Sequence, residues 1–515
     1  MAREALAQPK AEAHGEWEAV IGLEVHAQIR TDSKQFSPCP SVNTREIAVA
    51  NRYVDPVSLG LPGTLPVLNR LSVVKVLALG MALGCEPVWD REEGFRRWRE
   101  GGIAGFIDRR SEFARKHYFY PDLPKGYQIS QYDRPLIRGG RLSYYHRLPD
   151  GSWEVREGLL ERIHLEEDTG KLFHLGSEVL IDYNRSGVPL LELVTKPCFR
   201  SGEECVEFLE TLRQTLIWLG ISDANMEEGN FRCEPNISVR RRGEERLGVK
   251  TELKNLNSYA ILRKAVDYEI RRQIELLESG GSVHQATLRW DGSRTVEMRR
   301  KETADDYRYF PEPDLPPLVI SDQLIAEARE LLEKRELPFA FTRRLVEAGV
   351  KEEWALALRA SEELRRWFGE LAEAGISPAE AAKWVTGEVQ RLMRELGEGR
   401  CTPAELARLI GMVGEKRLRE GQAKQVLERL WERGGKAEKV AEELGFGRSL
   451  TEEELSSIIR QVISENADIV EKIRGGKTSA IQALVGQVMR LTRGNADARE
   501  VRERLEREIG KSMET

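Results

Sequence analysis

Long apolar runs are missing from this chain. No stretch of about 18 apolar residues occurs anywhere in it, and the opening MAREALAQPKAEAHGEWEAV has no apolar signal core, so a cytoplasmic protein is expected, with no membrane partner. Cysteine is sparse: the six, Cys39, Cys85, Cys198, Cys205, Cys233 and Cys401, are scattered and never form a C-x-x-C pair. That spacing argues against a disulfide framework and a zinc ribbon and fits free thiols in a reducing compartment. Neither sign of charge dominates, with 79 Lys and Arg against 85 Asp and Glu, so no broad basic field advertises nucleic acid. Any phosphate contact must then come from local patches. A standard nucleotide loop is also lacking. The GGKT at 475–478 resembles the end of a Walker A loop, but Glu471 stands where that pattern requires glycine. There is no G-x-S-x-G elbow and no Cys-His pairing at recognisable spacing. ATP, if used, must be gripped by metal, isolated Lys or Arg, and backbone.

What is present divides the chain. Residues 1–16 are Ala-rich, polar and aperiodic, and read as a disordered extension. From 17 to 316 the chain is rich in β-branched residues, Gly and Pro, with short alternating runs such as VIGLEVHAQIR and RIHLEEDTGKLFH; two stretches at helical spacing, 72–83 and 202–219, interrupt them. This predicts an α+β fold: an N-terminal mixed, largely antiparallel-sheet domain. After Leu315-Pro316-Pro317 the segments SPAEAAKWVTGEVQRLMRELG and TPAELARLIGMV show a Ser or Thr cap, Pro in the first turn and an acidic N-terminal turn. An all-helical middle domain is expected over 317–446. A small helical tail domain follows over 447–515, after a break at Gly445-Phe446-Gly447. The tail gathers Lys472, Arg474, Lys477, Arg490, Arg493, Arg499, Arg502 and Arg504, a charge run that by itself is more often a solvated face.

The polar density lies in the first domain. The run HYFYPDLPKGYQISQYDRPL, 117–136, crowds Tyr118, Tyr120, Tyr127 and Tyr132 around proline turns, Lys125, and the amides of Gln128 and Gln131, with Ser130 between them. Rigid turns bearing flat rings and amides suit a planar polar ligand, though an ordinary Tyr-rich loop has the same composition. In VIGLEVHAQ, alternation puts Glu24, His26 and Gln28 on one strand face. The adjacent Glu166 and Glu167 break that alternation, so one of them projects where an apolar residue was expected. Carboxylates beside an imidazole suit Mg²⁺ or Mn²⁺. A further acidic pair, Glu227 and Glu228, precedes Gly229; KTELKNLNSY alternates Lys250, Glu252 and Lys254 before Asn255 and Asn257; and ADDYRYFPEPDLPPL interleaves Asp306 and Arg308 with Tyr307, Tyr309 and Phe310. Arg beside aromatics can hold a base or act as a domain clamp, and composition leaves both open.

Taken in order, VIGLEVHAQ, HYFYPDLPKGYQISQYD, RIHLEEDTGK, DYNRSGVPLLELV, MEEGNFRCEPNIS, ELKNLNSY, DYRYFPEPDLPPL, KWVTGE and GKTSAIQALVGQVM closely resemble the B subunits of tRNA-dependent amidotransferases, the GatB/GatE family. The resemblance runs from about Val20 to the last helix, and it implies that the first domain is a cradle that holds the activated aminoacyl end. The GatE branch would add an aspartyl-tRNA-synthetase-like insertion, for which the chain has no room. What the resemblance implies is ATP-dependent phosphorylation and amidation of Glu-tRNA(Gln) or Asp-tRNA(Asn), with Mg²⁺ or Mn²⁺ held by the catalytic set Glu24, His26, Glu166 and Glu167, and Glu228 nearby. ATP and substrate contacts are expected from Tyr118, Tyr120, Lys125, Tyr127, Gln128, Ser130 and Gln131, and from Lys254, Asn255, Asn257, Asp306 and Arg308. Because the chain shows no amidase Ser-Ser-Lys signature, ammonia is expected from an amidase (glutaminase) partner, the A subunit, with a small C subunit completing a heterotrimer. The resemblance also turns the basic tail cluster, notably Lys472, Arg474, Lys477, Arg490 and Arg493, into a tRNA-binding face. Many relatives carry C-x-C and C-P-V-C in the region 37–58 as a zinc knuckle; here those positions read SPC and DPVS, so no zinc is expected. The competing reading is a tRNA-binding scaffold with no chemistry of its own, for which the acidic cluster would have no purpose.

Overall fold

A computed structural model describes residues 15–41, 49–299, 304–446, 451–474, 478–492 and 495–511. Most of the expected N-terminal extension and the glycine break at 447 lie outside these. The chain separates into two compact units that divide between Phe341 and Thr342. This moves the expected boundary from Pro316. The helix Asp322–Glu333 belongs with the sheet domain, because Ile320, Ile325 and Ala328 are buried in that domain's core. The proline-rich step in composition marks only a change of secondary structure.

Strands alternate with few helices in the first unit. In chain order they are β1 (Trp17–Gln28), β2 (Cys85–Val88), β3 (Gly105–Asp108), β4 (Arg110–His117), β5 (Tyr127–Arg134), β6 (Ile137–Gly139), β7 (Arg141–Arg147) and β8 (Trp153–Glu167). A ribbon follows, β9 (Lys171–Leu175) and β10 (Glu178–Asp182); then come β11 (Pro189–Thr195), β12 (Phe231–Arg241), β13 (Thr251–Lys254), β14 (Thr287–Trp290), β15 (Thr295–Arg299), β16 (Phe310–Pro311) and β17 (Leu318–Val319). Among the described residues the main sheet runs β15-β14-β13-β12-β1-β11-β8-β6-β3-β2, with β7 also on β8. Every pairing in it is antiparallel except β2 with β3 and β13 with β14. A second, smaller sheet joins β5, β16 and β17 to β4.

One face of the main sheet is apolar. Leu23, Val25 and Ala27 of β1, Leu191 and Leu193 of β11, and Ile163 and Leu165 of β8 are wholly buried there in the same core as α1 (Arg70–Ala82), α3 (Gly202–Trp218) and α4 (Tyr259–Glu278). The sequence expectation covers α1 and α3; α4 and the short α2 (Arg91–Arg99) are additions. Helix α1 is buried at every position from Ser72 to Gly80, which is why it shows no polar stripe. Asn69, Ser201 and Ser258 cap α1, α3 and α4 by accepting backbone N–H bonds. Helix α3 lies directly on β8 at Gly158, where a Cβ would come within 2.3 Å of the Phe208 ring.

The second unit is helical, as its cap signals predict. Ser377 and Thr402 accept from the N–H of Glu380 and Glu405, each with proline in the first turn, and Thr451 forms a full capping box with Glu454. The expected middle and tail helices cluster as this single unit, in which Leu455, Ile459, Leu484, Val488, Val501 and Leu505 make a core of their own. No helix among the described residues is long and apolar enough to cross a membrane.

Candidate active site

The face of the main sheet opposite the helices is polar, and it lines a cavity of about 660 Å³. Its residues follow from register. Every second side chain on a strand points to the same face, and cross-strand partners stand about 5 Å apart. His26 on β1 pairs with Arg232 on β12 and with Glu192 on β11, and Glu192 in turn pairs with His164 on β8. One step along, Glu24 pairs with Glu234 and Val194, and Val194 with Arg162; one step the other way, Gln28 pairs with Leu190, and Leu190 with Glu166. The result is a grid of carboxylates, imidazoles and guanidinium groups across four strands.

At its centre Glu192 is almost fully buried. Its Oε2 lies 3.3 Å from His26 Nε2 and 3.6 Å from His164 Nε2, and its Oε1 accepts from Arg162 at 3.2 Å. Glu166 stands beside His164 at 3.2 Å and is fixed by Ser130 Oγ at 2.6 Å and Gln128 Nε2 at 3.1 Å. Two triads that share Glu192, Glu24-His26-Glu192 and His164-Glu166-Glu192, each bring their own three ligand atoms within 4.8 Å of one another. Burial, with Glu192 and Glu234 adding like charge, pushes the Glu24 carboxyl up to about 7. Burial pulls the His26 imidazole down, but the bond to Glu192 and the surrounding carboxylates raise it to about 9. Burial would raise Glu192, yet His164, His26 and Arg162 hold it well below the usual carboxylate range. Three carboxylates and two imidazoles converging in this way form a donor set that fits a hard divalent cation, which would relieve the repulsion lifting Glu24.

The opposite wall is cationic and aromatic. Lys116 from β4 enters the cavity; burial lowers its affinity for a proton, and Glu166, Tyr309 and Glu192 more than reverse this, so the amine stays charged. Tyr132 stacks on Tyr309 at 4.6 Å, the Arg162 guanidinium sits 5.1 Å from the Tyr132 ring, and Tyr118 leans toward Tyr307 at 6.1 Å. At the far end Asp168 accepts from Gln28 and Arg232; burial raises its carboxyl, but Arg185 and Arg232 bring it down to about 2. Lys254 lies 2.5 Å from Glu234.

The expected site residues divide on this geometry. Glu24, His26, Glu166, Gln128, Tyr118 and Lys254 line the cavity. Glu167 is the departure from the expected metal set: its carboxylate turns to the other side of β8, where it pairs with Lys125 and accepts the Ile129 N–H at 3.1 Å. Adjacent residues on a strand face opposite ways, so only one of the two glutamates can reach the cavity. Ser130 and Gln131 hold β8, Ser130 through Glu166 and Gln131 through the Leu165 N–H at 3.0 Å, and so shape the site from behind. Tyr127 stacks with Arg115, and Tyr120 stacks on Tyr118 while remaining half exposed. Glu228 is held within its own loop by Asn225 and Asn230. Asn255 and Asn257 are exposed past the end of β13, Asn255 in the left-handed region at φ 60°. Asp306 and Arg308 are exposed, while the tyrosines between and after them, Tyr307 and Tyr309, line the cavity.

Glu192, His164, Arg162, Asp168, Arg232, Glu234 and Lys116 are outside the expected set. Most had a signal: Arg162-His164-Glu166 and Arg232-Glu234-Asn236 repeat the period-two polar pattern of Glu24-His26-Gln28. In the second unit Lys472 is exposed, facing Asp468 at 3.8 Å, and Arg490 is exposed. The Arg474 side chain, Lys477, Arg493 and residues 475–477 of the GGKT string lie outside the described residues. In the region expected to lack zinc, Cys39 is the one cysteine; it is buried, and Ser37 Oγ accepts its N–H at 3.3 Å.

Comparison with known proteins finds matches in both halves of the chain. A family model described as the GatB/GatE catalytic domain matches residues 19–97 and 102–326, and one described as the GatB domain matches 366–509. The B subunit of the aspartyl/glutamyl-tRNA(Asn/Gln) amidotransferase of Janthinobacterium sp. (strain Marseille) is 41% identical over 510 residues, covering 96% of this chain and 99% of its own. The protein of the same name from Carboxydothermus hydrogenoformans is 41% identical over 508 residues, with the same coverage. That of Thermoanaerobacter pseudethanolicus is 42% identical over 503 residues, covering 96% of this chain and all of its own.

Proposed function

Because the chain belongs to the GatB/GatE family, we propose that it is the subunit of a tRNA-dependent amidotransferase that activates and amidates the side-chain carboxylate of Glu-tRNA(Gln) or Asp-tRNA(Asn). A carboxylate resists attack by ammonia because its oxygen is a poor leaving group. Phosphorylation removes that obstacle: a carboxylate oxygen attacks the γ-phosphorus of ATP, ADP departs, and the acyl phosphate carries a good leaving group. Ammonia then attacks the acyl carbon, phosphate leaves, and after proton loss the amide remains.

The observation that carries this reading is the meeting, in one cavity, of a buried carboxylate-imidazole cluster and a cationic, aromatic wall. Glu24, His26, Glu166 and Glu192 would hold Mg²⁺ or Mn²⁺, which when bound neutralises phosphate charge. Lys116 and Arg162 place fixed positive charge where phosphoryl oxygens would lie, and Glu192 and Tyr132 keep the Arg162 guanidinium oriented. The stacked Tyr132 and Tyr309 offer flat faces to a base. Glu234 with Lys254, at the other end, offers both signs of charge to an aminoacyl group with an ammonium and a carboxylate. Serine, glutamine and histidine side chains hold Glu166 before any ligand arrives, which is the pre-organisation catalysis needs.

Ammonia would come from an amidase (glutaminase) A subunit working with a small C subunit in a heterotrimer. The exposed Lys472 and Arg490 support a tRNA contact by the helical tail. A scaffold without chemistry would not retain so many buried charges, each of which costs stability. The test is ATP hydrolysis by the purified complex. Hydrolysis should rise at least about tenfold when mischarged Glu-tRNA(Gln) or Asp-tRNA(Asn) is added, and equal rates with and without mischarged tRNA would overturn the reading.

A further inference from the structure

A second cavity, of about 570 Å³, opens past the end of β1. Gln28 lines it and donates to Asp168, which lines the first cavity, so the two adjoin at that bond. Its cations come from three segments: Arg30 just after β1, Lys75 in α1, and Arg335 after the helix Asp322–Glu333. Two of the three are held by neutral groups. Lys75 Nζ donates to the carbonyls of Arg30 at 2.5 Å and Gly220 at 2.6 Å, and Arg335 Nη1 donates to the Trp218 carbonyl. Gly220, at φ 66°, leaves room for this approach, since a Cβ there would lie 3.3 Å from Arg335 Nη1.

Carbonyl oxygens fix a cation in place without cancelling its charge. By contrast, Lys125, Lys254 and Arg156 each meet a carboxylate directly, Glu167, Glu234 and Glu204 in turn. Among the described residues neither Lys75 nor Arg335 has a carboxylate within ion-pairing distance. The negative groups at this cavity fall short: Asp223 is engaged by Arg30 at 3.3 Å, and Asp32 is exposed. Burial, then Arg30 and Arg335, lower the Lys75 ammonium to about 8, and Asp223 and Asp32 offset this only in part. The cavity is thus short of negative charge.

Donor geometry selects the anion. An ammonium carries three N–H donors, of which Lys75 spends two on carbonyls, and a guanidinium carries five. Ser222, in the turn after α3, also lines the cavity and is 2% exposed; its Oγ accepts the Ala224 N–H at 3.0 Å, which leaves the hydroxyl hydrogen to donate. Donors arriving from four separate segments suit a tetrahedral group with four oxygens better than a planar carboxylate with two. We infer that this second cavity binds a dianionic phosphate, held by Lys75, Arg335 and Arg30 with the Ser222 hydroxyl as a fourth donor. Free phosphate and the terminal phosphate of an RNA share this chemistry, and the test separates them. The inference stands apart from the function proposed above, because none of these four residues lines the first cavity.

Lys75 itself reports on the site. Reductive methylation of the full chain at about pH 8, where half of this amine is unprotonated, is followed at Lys75 by mass spectrometry. Inorganic phosphate should slow labelling of Lys75 at least tenfold relative to sodium chloride of equal ionic strength. In Arg335→Gln, and separately in Arg30→Gln, each checked for folding by thermal unfolding, phosphate should slow it less than twofold. An oligonucleotide with a 5′-phosphate and its dephosphorylated form make the second arm. Protection by the phosphorylated form alone, without protection by inorganic phosphate, assigns the cavity to an RNA end. Equal protection by both forms overturns the inference, because it reports contact with the RNA backbone. So does labelling that neither phosphate source slows, or protection that persists undiminished in both folded variants.

Discussion

Charged residues are handled in opposite ways by the cavity face of the sheet and by the last helices of the chain. On the sheet, His164, Glu166 and Glu192 are almost wholly buried, and His26, His164 and Ser130 answer the two carboxylates, His26 and Ser130 from other strands and remote in sequence. On the terminal helices, Arg499 pairs with Glu503 and Arg502 with Glu506 one turn along, in open water. Buried charges lose hydration and stay ionised only where fixed partners or a ligand answer them; exposed pairs lose little and gain a few tenths of a kcal/mol. A run of charge therefore says little until burial is known.

The largest break in this contrast should come from Glu192→Gln, which keeps side-chain shape and removes the charge shared by both triads. Mischarged-tRNA-dependent ATP hydrolysis should fall by about a hundredfold to a thousandfold, with the circular dichroism spectrum unchanged. Residual activity within a few-fold of wild type would remove the cluster from the chemistry. Next comes Glu167→Gln, which leaves the buried Lys125 without its carboxylate. It should lower stability by about 3 kcal/mol in urea unfolding, and a change under 1 kcal/mol would mean that Lys125 readily finds water.

A smaller and pH-dependent effect belongs to Lys75, whose buried ammonium donates to the carbonyls of Arg30 and Gly220. Burial, then the nearby Arg30 and Arg335, lower it from 10.5 to about 8. Between those values the unfolded chain holds more protons than the folded one, so this group's contribution grows as pH rises from about 8 to 10.5 and is lost as pH falls through 8. Lys75→Met should flatten the stability profile of that window by up to about 1.4 kcal/mol per pH unit, and parallel profiles would refute the assignment. The smallest effect is expected on the terminal helices, where Arg502→Ala should change stability by less than about 0.5 kcal/mol in thermal unfolding. A larger loss would place that pair in a less solvated setting than its exposure indicates.

Local order was legible because it is local. Alternation in VIGLEVHAQ places Glu24, His26 and Gln28 on one face, and the Ser and Thr caps mark helix starts, since each depends on a few neighbouring residues. The sequence by itself determined the α+β division, the family, and a polar strand face with its first carboxylate and imidazole. Only the tertiary structure decided the membership of the site. Glu192 is a single carboxylate in the apolar run PLLELVT, and nothing beside it in sequence shows a purpose; antiparallel pairing with β1 and β8 sets it between His26 and His164. Likewise, the alternation rule states that Glu166 and Glu167 face opposite ways, but which one meets the cavity depends on how β8 lies in the sheet and on Lys125 arriving from the connection between β4 and β5. Register and burial are properties of several strands at once, and no single segment contains them.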